Sequence, residues 1–198
     1  MYVLESNGHI ILIDPQIIAT DSIYGIVDFI ILTHEHYDHI SGVNYWKEKT
    51  GAKVICSESC NNGLQNPSRN FSKYFKEFCE LQTMVTVDRE VENLEYCCEG
   101  DIVFQDSYTM EWLGNVINLF ETPGHSKGSV CALMNNRMLF SGDSLFKDYP
   151  TACGFPGGSK KKWIQKSLPL LKTLSEDVQV FPGHFETFYL KDYTFWEV

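Results

Sequence analysis

The segment from Thr33 to His39 concentrates side chains that bind metals. It holds three imidazoles and the carboxylate of Asp38 directly after the apolar run from Phe29 to Leu32. Zinc, iron and similar metals prefer imidazole ligands mixed with carboxylate. The alternative is a polar surface turn that contains its histidines by chance, and the density of ligand types argues against it. The segment therefore predicts a metal site.

Three further turns each present one potential ligand after a strand-like run. They carry His125, Asp143 and His184, and each contains a glycine next to that ligand. Any one of them alone would be an ordinary turn. Because ligands on loops at strand ends are where sites usually lie in open α/β folds, we interpret the turns and the first segment as parts of one site.

The order of these residues resembles the signature of the metallo-β-lactamase superfamily, which is HxHxDH followed by a distant His, an Asp and a last His. The resemblance implies an α/β (α+β) fold, the four-layer αββα sandwich of that superfamily, with a binuclear metal centre. The implied ligands are His34, His36 and His125 for one metal, Asp38, His39 and His184 for the other, and Asp143 as the bridge between them.

Secondary motifs resemble the glyoxalase II-like branch of the superfamily. They are the run from Leu139 to Phe146, the turn from Phe155 to Ser159, and Asn70-Phe71-Ser72. Residues 151–154 depart from the Gly-Arg-x-Asp that such relatives often carry before this turn, and the helical domain that binds glutathione has no counterpart here. The resemblance therefore implies a small thioester or ester as substrate without specifying a glutathione thioester.

The implied reaction is hydrolysis by a hydroxide held between two metals, with Asp38 orienting this nucleophile as well as ligating. Zinc is the favoured metal, although the same ligands accept iron or manganese. Two alternatives stay open: an iron-dependent sulfur dioxygenase with a single iron, and a non-catalytic metal-binding scaffold. The sequence does not specify the acyl group, the metal or the oligomeric state.

Composition limits the partners of the chain. Its 198 residues, 43% of them hydrophobic, predict one domain over residues 1–198. A formal net charge of −10 disfavours nucleic acid and anionic membranes, which leaves a small-molecule substrate as the expected partner. No apolar run long enough for a membrane span or a signal peptide is visible, and seven cysteines without a CxxC pair suggest reduced thiols in the cytoplasm.

Hydrophobic patterning places the motifs on elements. It predicts strands at residues 10–13, 29–33, 53–56, 102–105, 108–113, 116–121, 129–133, 137–140 and 178–181. It predicts helices at residues 41–49, from 72 onward and at 160–174, with Pro169 able to bend the last. Residues 61–71 are expected to be irregular.

Several further residues near the motifs have predicted places or roles. His9 is expected on the surface, and Asp14 either orients the ligand loop or caps a turn. One of Glu35 and Tyr37, at the variable positions of the motif, is expected to face solvent. The segments 61–74 and 185–196 are expected to form the pocket walls. Three cations are candidates to meet an anionic substrate: Arg69, Lys73 and Lys76.

Overall fold

The computed structural model describes residues 1–17, 23–83 and 94–195, with backbone only for residues 81–83. The first sheet has the spatial order β1-β2-β3-β4-β5, in which β1 and β2 are antiparallel and the remaining neighbours are parallel. Its strands are β1 (Tyr2–Ser6), β2 (His9–Ile13), β3 (Ile26–Ile31), β4 (Lys53–Ser57) and β5 (Ile102–Phe104).

The second sheet has the order β11-β10-β9-β8-β7-β6. Its neighbours are antiparallel except β9 and β10, so β7, β9 and β10 run in the same direction. Its strands are β6 (Ser107–Trp112), β7 (Asn115–Glu121), β8 (Val130–Met134), β9 (Met138–Gly142), β10 (Gln179–Pro182) and β11 (Phe188–Tyr189).

Helices flank both sheets. The helices are α1 (Tyr37–Ile40), α2 (Val43–Thr50), α3 (Glu58–Leu64), α4 (Phe75–Thr83), α5 (Lys160–Lys162) and α6 (Leu168–Leu171), with a π-helical turn at Trp163–Ser167 and 3-10 turns at Ser72–Tyr74 and Leu190–Asp192. Among the described residues, no helix is long and apolar enough to cross a membrane.

Three apolar cores separate the layers. One lies between the two sheets, one under α1 to α3, and one between the second sheet and the helical segment around Trp163. Strand β8 shows how this arises, because Ala132 faces the core between the sheets while Cys131 and Leu133 face the outer core. Successive side chains of a strand point to opposite faces, so a fully apolar strand is covered on both sides. The predicted αββα sandwich is confirmed.

Two elements differ from the sequence predictions. The irregular stretch expected from residue 61 is instead partly helical, because Ser57 Oγ accepts a hydrogen bond from the Cys60 N–H and caps α3. The helix predicted at 160–174 ends at Leu171 and contains a π turn, in which the Leu168 N–H donates to the Trp163 carbonyl. Pro169 cannot donate a backbone hydrogen bond, which accounts for the irregular ladder beside it.

Candidate metal centre

The structure brings the seven predicted ligands together at the ends of four strands. His34 to His39 follow β3, while His125, Asp143 and His184 follow β7, β9 and β10. His34, His36 and His125 form the first ligand group. In it, His36 Nδ1 lies 3.0 Å from His125 Nε2. The His34 ring lies 4.5 Å from the His36 ring and 5.0 Å from the His125 ring, centroid to centroid. One ring nitrogen from each of the three residues lies within 4.8 Å of the other two, which is close enough for all three to bind a single cation.

A second group lies beside the first. His184 Nε2 is 3.2 Å from Asp38 Oδ2 and 3.3 Å from His39 Nε2. One ligand atom of each of these three residues lies within 4.8 Å of the others. The His184 side chain is 45% exposed, whereas that of His39 is 4% exposed, so this group opens toward solvent through His184.

Asp143 lies between the two groups. Its Oδ1 is 3.3 Å from His39 Nε2, and its Oδ2 is 3.5 Å from His125 Nε2 and 3.7 Å from His184 Nε2. One carboxylate therefore reaches both groups, as an anionic bridge between two cations must. The turn that carries His184 approaches closely, since a Cβ at Gly183 would overlap Asp143 and His39.

The first histidine group has the chemistry of an unprotonated ligand set. Burial and, after it, the neighbouring His125 lower the pKa of His36 to about 3. Burial, followed by the nearby histidines, also holds the pKa of His34 well below its ordinary value. Neutral imidazole is the form that binds metals. His34 Nε2 is buried and has no hydrogen-bond partner among the described residues, so this nitrogen fits a divalent cation.

The second group is more anionic. Burial opposes ionisation of Asp38 and Asp143, yet the histidines beside them, His39 foremost, lower the pKa of both carboxyl groups. Burial likewise opposes protonation of His39, but the carboxylates of Asp38, Asp143 and Asp14 raise its pKa well above the ordinary value. These partly buried carboxylates are offset by the cationic form of His39, and a divalent metal would offset them in the same way.

Asp14 positions the ligand loop. Its Oδ1 accepts the Thr33 N–H at 2.8 Å, and its Oδ2 accepts the Thr33 hydroxyl at 2.6 Å and contacts His39 Nδ1 at 2.8 Å. Asp14, His34 and His39 also meet closely enough to be considered as a ligand set. However, Asp14 is already used by Thr33 and the Nδ1 side of His39, which leaves His39 Nε2 for the metal. A carboxylate behind a metal-binding histidine fixes the orientation of the ring.

Glu35 has a different environment from the one expected at a variable motif position. It is 1% exposed, and its carboxylate accepts the Ser126 hydroxyl at 2.8 Å and lies 3.3 Å from Arg69 Nη2. Tyr37 is half-buried and packs on Tyr96. Glu35 therefore joins the loop after β3 to the loop that carries His125. The sequence gives no sign of this link because the partners lie far apart along the chain.

His9 lies outside the centre, as expected. It begins β2 and its Nδ1 lies 3.0 Å from an Asp28 carboxylate oxygen, with its side chain 35% exposed. Asp28 also accepts the Trp112 indole N–H at 2.8 Å. His9 thus pairs with a carboxylate outside the centre. No potential ligand set among the described residues includes it.

A cavity of about 430 Å³ opens onto the ligands. Phe185 is the member of the expected tail wall that lines it, whereas Phe188 and Tyr193 pack into the outer core and Trp196 lies outside the described residues. Arg69 pairs with Glu35, and none of the three candidate cations, Arg69, Lys73 and Lys76, is among the described residues that line the cavity. The lining residues are His36, Asp38, Phe78, Asp143, Phe146, Phe155, His184 and Phe185.

The family comparison identifies the class of protein. The model of the metallo-β-lactamase superfamily matches residues 27–184, so this chain belongs to that superfamily. The match spans the strands and turns that carry all the candidate ligands. Among solved structures, the B3 metallo-β-lactamase BLEG-1 superposes with a TM-score of 0.77 at 23% identity, covering 96% of this chain and 88% of that one.

Two curated relatives are similar at low identity. The probable polyketide biosynthesis zinc-dependent hydrolase BaeB of Bacillus velezensis is 24% identical over 155 residues, which cover 78% of this chain and 55% of BaeB. A hydroxyacylglutathione hydrolase of Rhizobium meliloti is 28% identical over 158 residues, covering 78% of this chain and 47% of the relative. The chain thus spans about half the length of these relatives.

Proposed function

We propose that the chain is a binuclear metal-dependent hydrolase of a small thioester or ester. The observation that carries the proposal is the pair of three-residue ligand groups joined by Asp143. Two groups with a shared carboxylate are the arrangement expected of two metals acting together. The names of the relatives, a zinc-dependent hydrolase and a hydroxyacylglutathione hydrolase, support hydrolysis and zinc.

The reaction consumes one water. The bond between the acyl carbon and sulfur or oxygen breaks, a bond from that carbon to the water oxygen forms, and a carboxylic acid and a thiol or alcohol leave. The metals, when bound, supply water that ionises near neutral pH and an electrophile for the carbonyl oxygen. Residues of the first group, His34, His36 and His125, would hold one metal, and Asp38, His39 and His184 the other.

Asp38 has a second task in this proposal. Its lowered pKa keeps it an acceptor, and its side chain lines the cavity where a substrate would enter. Asp38 can therefore accept a hydrogen bond from the attacking water. This hydrogen bond would direct a lone pair of the water oxygen at the acyl carbon. Asp14, through His39, keeps the ligand loop in place while this happens.

The experiment that tests this proposal distinguishes hydrolysis of an ester or thioester from the oxygen-consuming reaction of a sulfur dioxygenase. Protein loaded with zinc, and separately with iron, is assayed on a panel of thioesters and esters, and for oxygen consumption with a persulfide substrate. We expect hydrolysis that a chelator abolishes and zinc restores. Oxygen consumption without hydrolysis would overturn the proposal in favour of a sulfur dioxygenase. Loaded protein without either activity would overturn it in favour of a scaffold.

A further inference from the structure

The cavity beside the candidate ligands has an aromatic wall. Phe78 and Phe155 line it, with ring centroids 5.7 Å apart, and Phe71 packs against both. The Phe155 ring lies 5.3 Å from the His125 ring, and the Phe71 ring lies 4.7 Å from the His36 ring. Phe78 and Phe155 thus form an aromatic surface that begins at the first ligand group, and Phe71 packs behind it.

A second aromatic surface faces the other ligand group. Phe146 and Phe185 line the cavity with ring centroids 5.4 Å apart in an edge-to-face contact, and Phe146 lies 6.3 Å from the His184 ring. Phe185 is 69% exposed. With Phe146 and the exposed Tyr149, whose ring lies 5.2 Å from the Phe185 ring, it forms a contiguous apolar patch at the cavity, which is typical of a ligand-binding surface.

Backbone conformation supports the same reading. Phe71 has φ of 64° and Phe185 has φ of 68°, a left-handed conformation that bulky residues rarely adopt. Such strain persists where the surrounding structure imposes it, and it concentrates at binding sites. Phe71 packs behind the first aromatic surface and Phe185 is part of the second, so an unusual backbone conformation occurs at both surfaces.

The charges of the cavity are confined to the candidate metal ligands. Among the described residues that line it, none is a lysine or an arginine. Lys147 lines a neighbouring cavity, which shares Phe185 as a wall. An acyl group that carries its own carboxylate would therefore meet aromatic rings, and no lysine or arginine, among the described residues that line this cavity.

We infer that the cavity is an acyl-group site for aryl or similarly bulky apolar groups, so the substrate is an uncharged arylacyl thioester or ester. This inference rests on the proposed function for the reaction but on the aromatic surfaces for the selectivity. A phenyl ring buried between two such surfaces gains both apolar contact and favourable ring geometry.

The test uses a matched series of thioesters of one small thiol, carrying acetyl, phenylacetyl and succinyl groups. We expect kcat/KM for phenylacetyl to exceed that for acetyl by about tenfold or more. The free energy gained by burying a phenyl ring corresponds to at least a change of that size. Succinyl should be no better than acetyl. A preference for succinyl, or no preference for phenylacetyl over acetyl, would overturn the inference.

Phe75 provides a matched control for Phe78. Both lie on α4 and both are half-buried, but Phe75 packs on Tyr37 and does not line the cavity. Phe78→Ala should reduce the ratio of phenylacetyl to acetyl kcat/KM by at least about fivefold, while Phe75→Ala should preserve that ratio. Equal ratios in the two variants would contradict an acyl site at Phe78.

A binding measurement separates this inference from the proposed reaction. Phenylacetate and acetate are titrated calorimetrically into the zinc-loaded protein and into both variants. We expect phenylacetate to bind at least about tenfold more tightly than acetate, with the difference lost in Phe78→Ala alone. If no ester is hydrolysed but this difference is present, the reaction is wrong and the aromatic site stands. If esters are hydrolysed and the difference is absent, the aromatic site is wrong.

Discussion

At the scale of the residue, Asp14 shows how a side chain outside the ligand set can control it. Its two carboxylate oxygens bind the Thr33 backbone and hydroxyl and contact His39 Nδ1. It adopts φ of 50°, which aspartate tolerates better than most residues. The carboxylate therefore fixes the start of the ligand loop and the direction of one ligand at once.

Asp14→Asn tests this role with little change of shape, since asparagine also tolerates the left-handed conformation. Asparagine has one acceptor oxygen, so it cannot accept from the Thr33 N–H on one side and also from the Thr33 hydroxyl and His39 on the other. We therefore expect metal affinity to fall by about 10- to 100-fold. Competition with a chromophoric chelator measures the affinity. Asp28→Asn is the control, because Asp28 holds His9 in the same way but away from the centre. Unchanged affinity in Asp14→Asn would exclude a positioning role.

Asp38→Ala tests the residue that lines the cavity and belongs to the second ligand group. Because the proposal has Asp38 aim the nucleophile, kcat should fall by at least about 100-fold while KM changes far less. Steady-state kinetics on the best thioester of the panel, with metal content measured in the same sample, checks this. A variant with full metal content and normal turnover would refute the role.

At the scale of the element, the site depends on strand ends that approach closely. The turn after β10 passes so near the ligands that a methyl group at Gly183 would overlap Asp143 and His39. Glycine is therefore required there by the distance between two turns. The loop after β3 is fixed in a comparable way, since Glu35 bonds Ser126 on the loop after β7.

Gly183→Ala should displace the turn after β10 and lower the metal affinity, by at least about tenfold if His39 or Asp143 moves with it. Gly154→Ala is the control, because a Cβ there meets no atom within 4 Å. Chelator competition and thermal melting of the metal-free proteins are compared. Metal affinity equal to that of Gly154→Ala would show that the close approach does not position the ligands.

Elements with apolar runs were predictable, and elements held by capping or by distant partners were not. Strand β2 and helix α2 follow from hydrophobic pattern and from Gly51, whose left-handed φ of 70° ends the helix. Helix α3 was missed because its sequence ESCNNGL is short and polar, and its Ser57 cap becomes evident only in three dimensions. Hydrophobic periodicity predicts which residues are buried, but it does not predict which polar groups form hydrogen bonds with one another.

The same limit applies to the site. The types and order of the potential ligands predicted which residues would meet, since each follows an apolar strand. The cavity wall was predicted less well: Phe78 lies on a helix and Phe155 in a turn, and only the fold brings them together. Arg69 was a candidate to meet an anionic substrate, but it forms an ion pair with the buried Glu35 carboxylate. Charge alone does not show which partner a side chain will find.

At the scale of the whole molecule, the negative charge and the proposed centre are related. The formal net charge is −10, and two divalent cations would add about +4 in one cavity. The positive charge would then be concentrated at the proposed centre of a chain whose net charge is negative. The number of cations that the chain binds therefore distinguishes a binuclear centre from a mononuclear one.

The most direct test is the number of zinc ions bound per chain. It is measured by elemental analysis of the zinc-loaded protein, of His184→Ala and of His9→Ala. The account predicts close to two for the native chain and for His9→Ala, because His9 pairs with Asp28 outside the centre. It predicts close to one for His184→Ala, which removes a ligand of the second group and leaves His34, His36 and His125 intact. A value of one for the native chain, unchanged in His184→Ala, would contradict the binuclear centre.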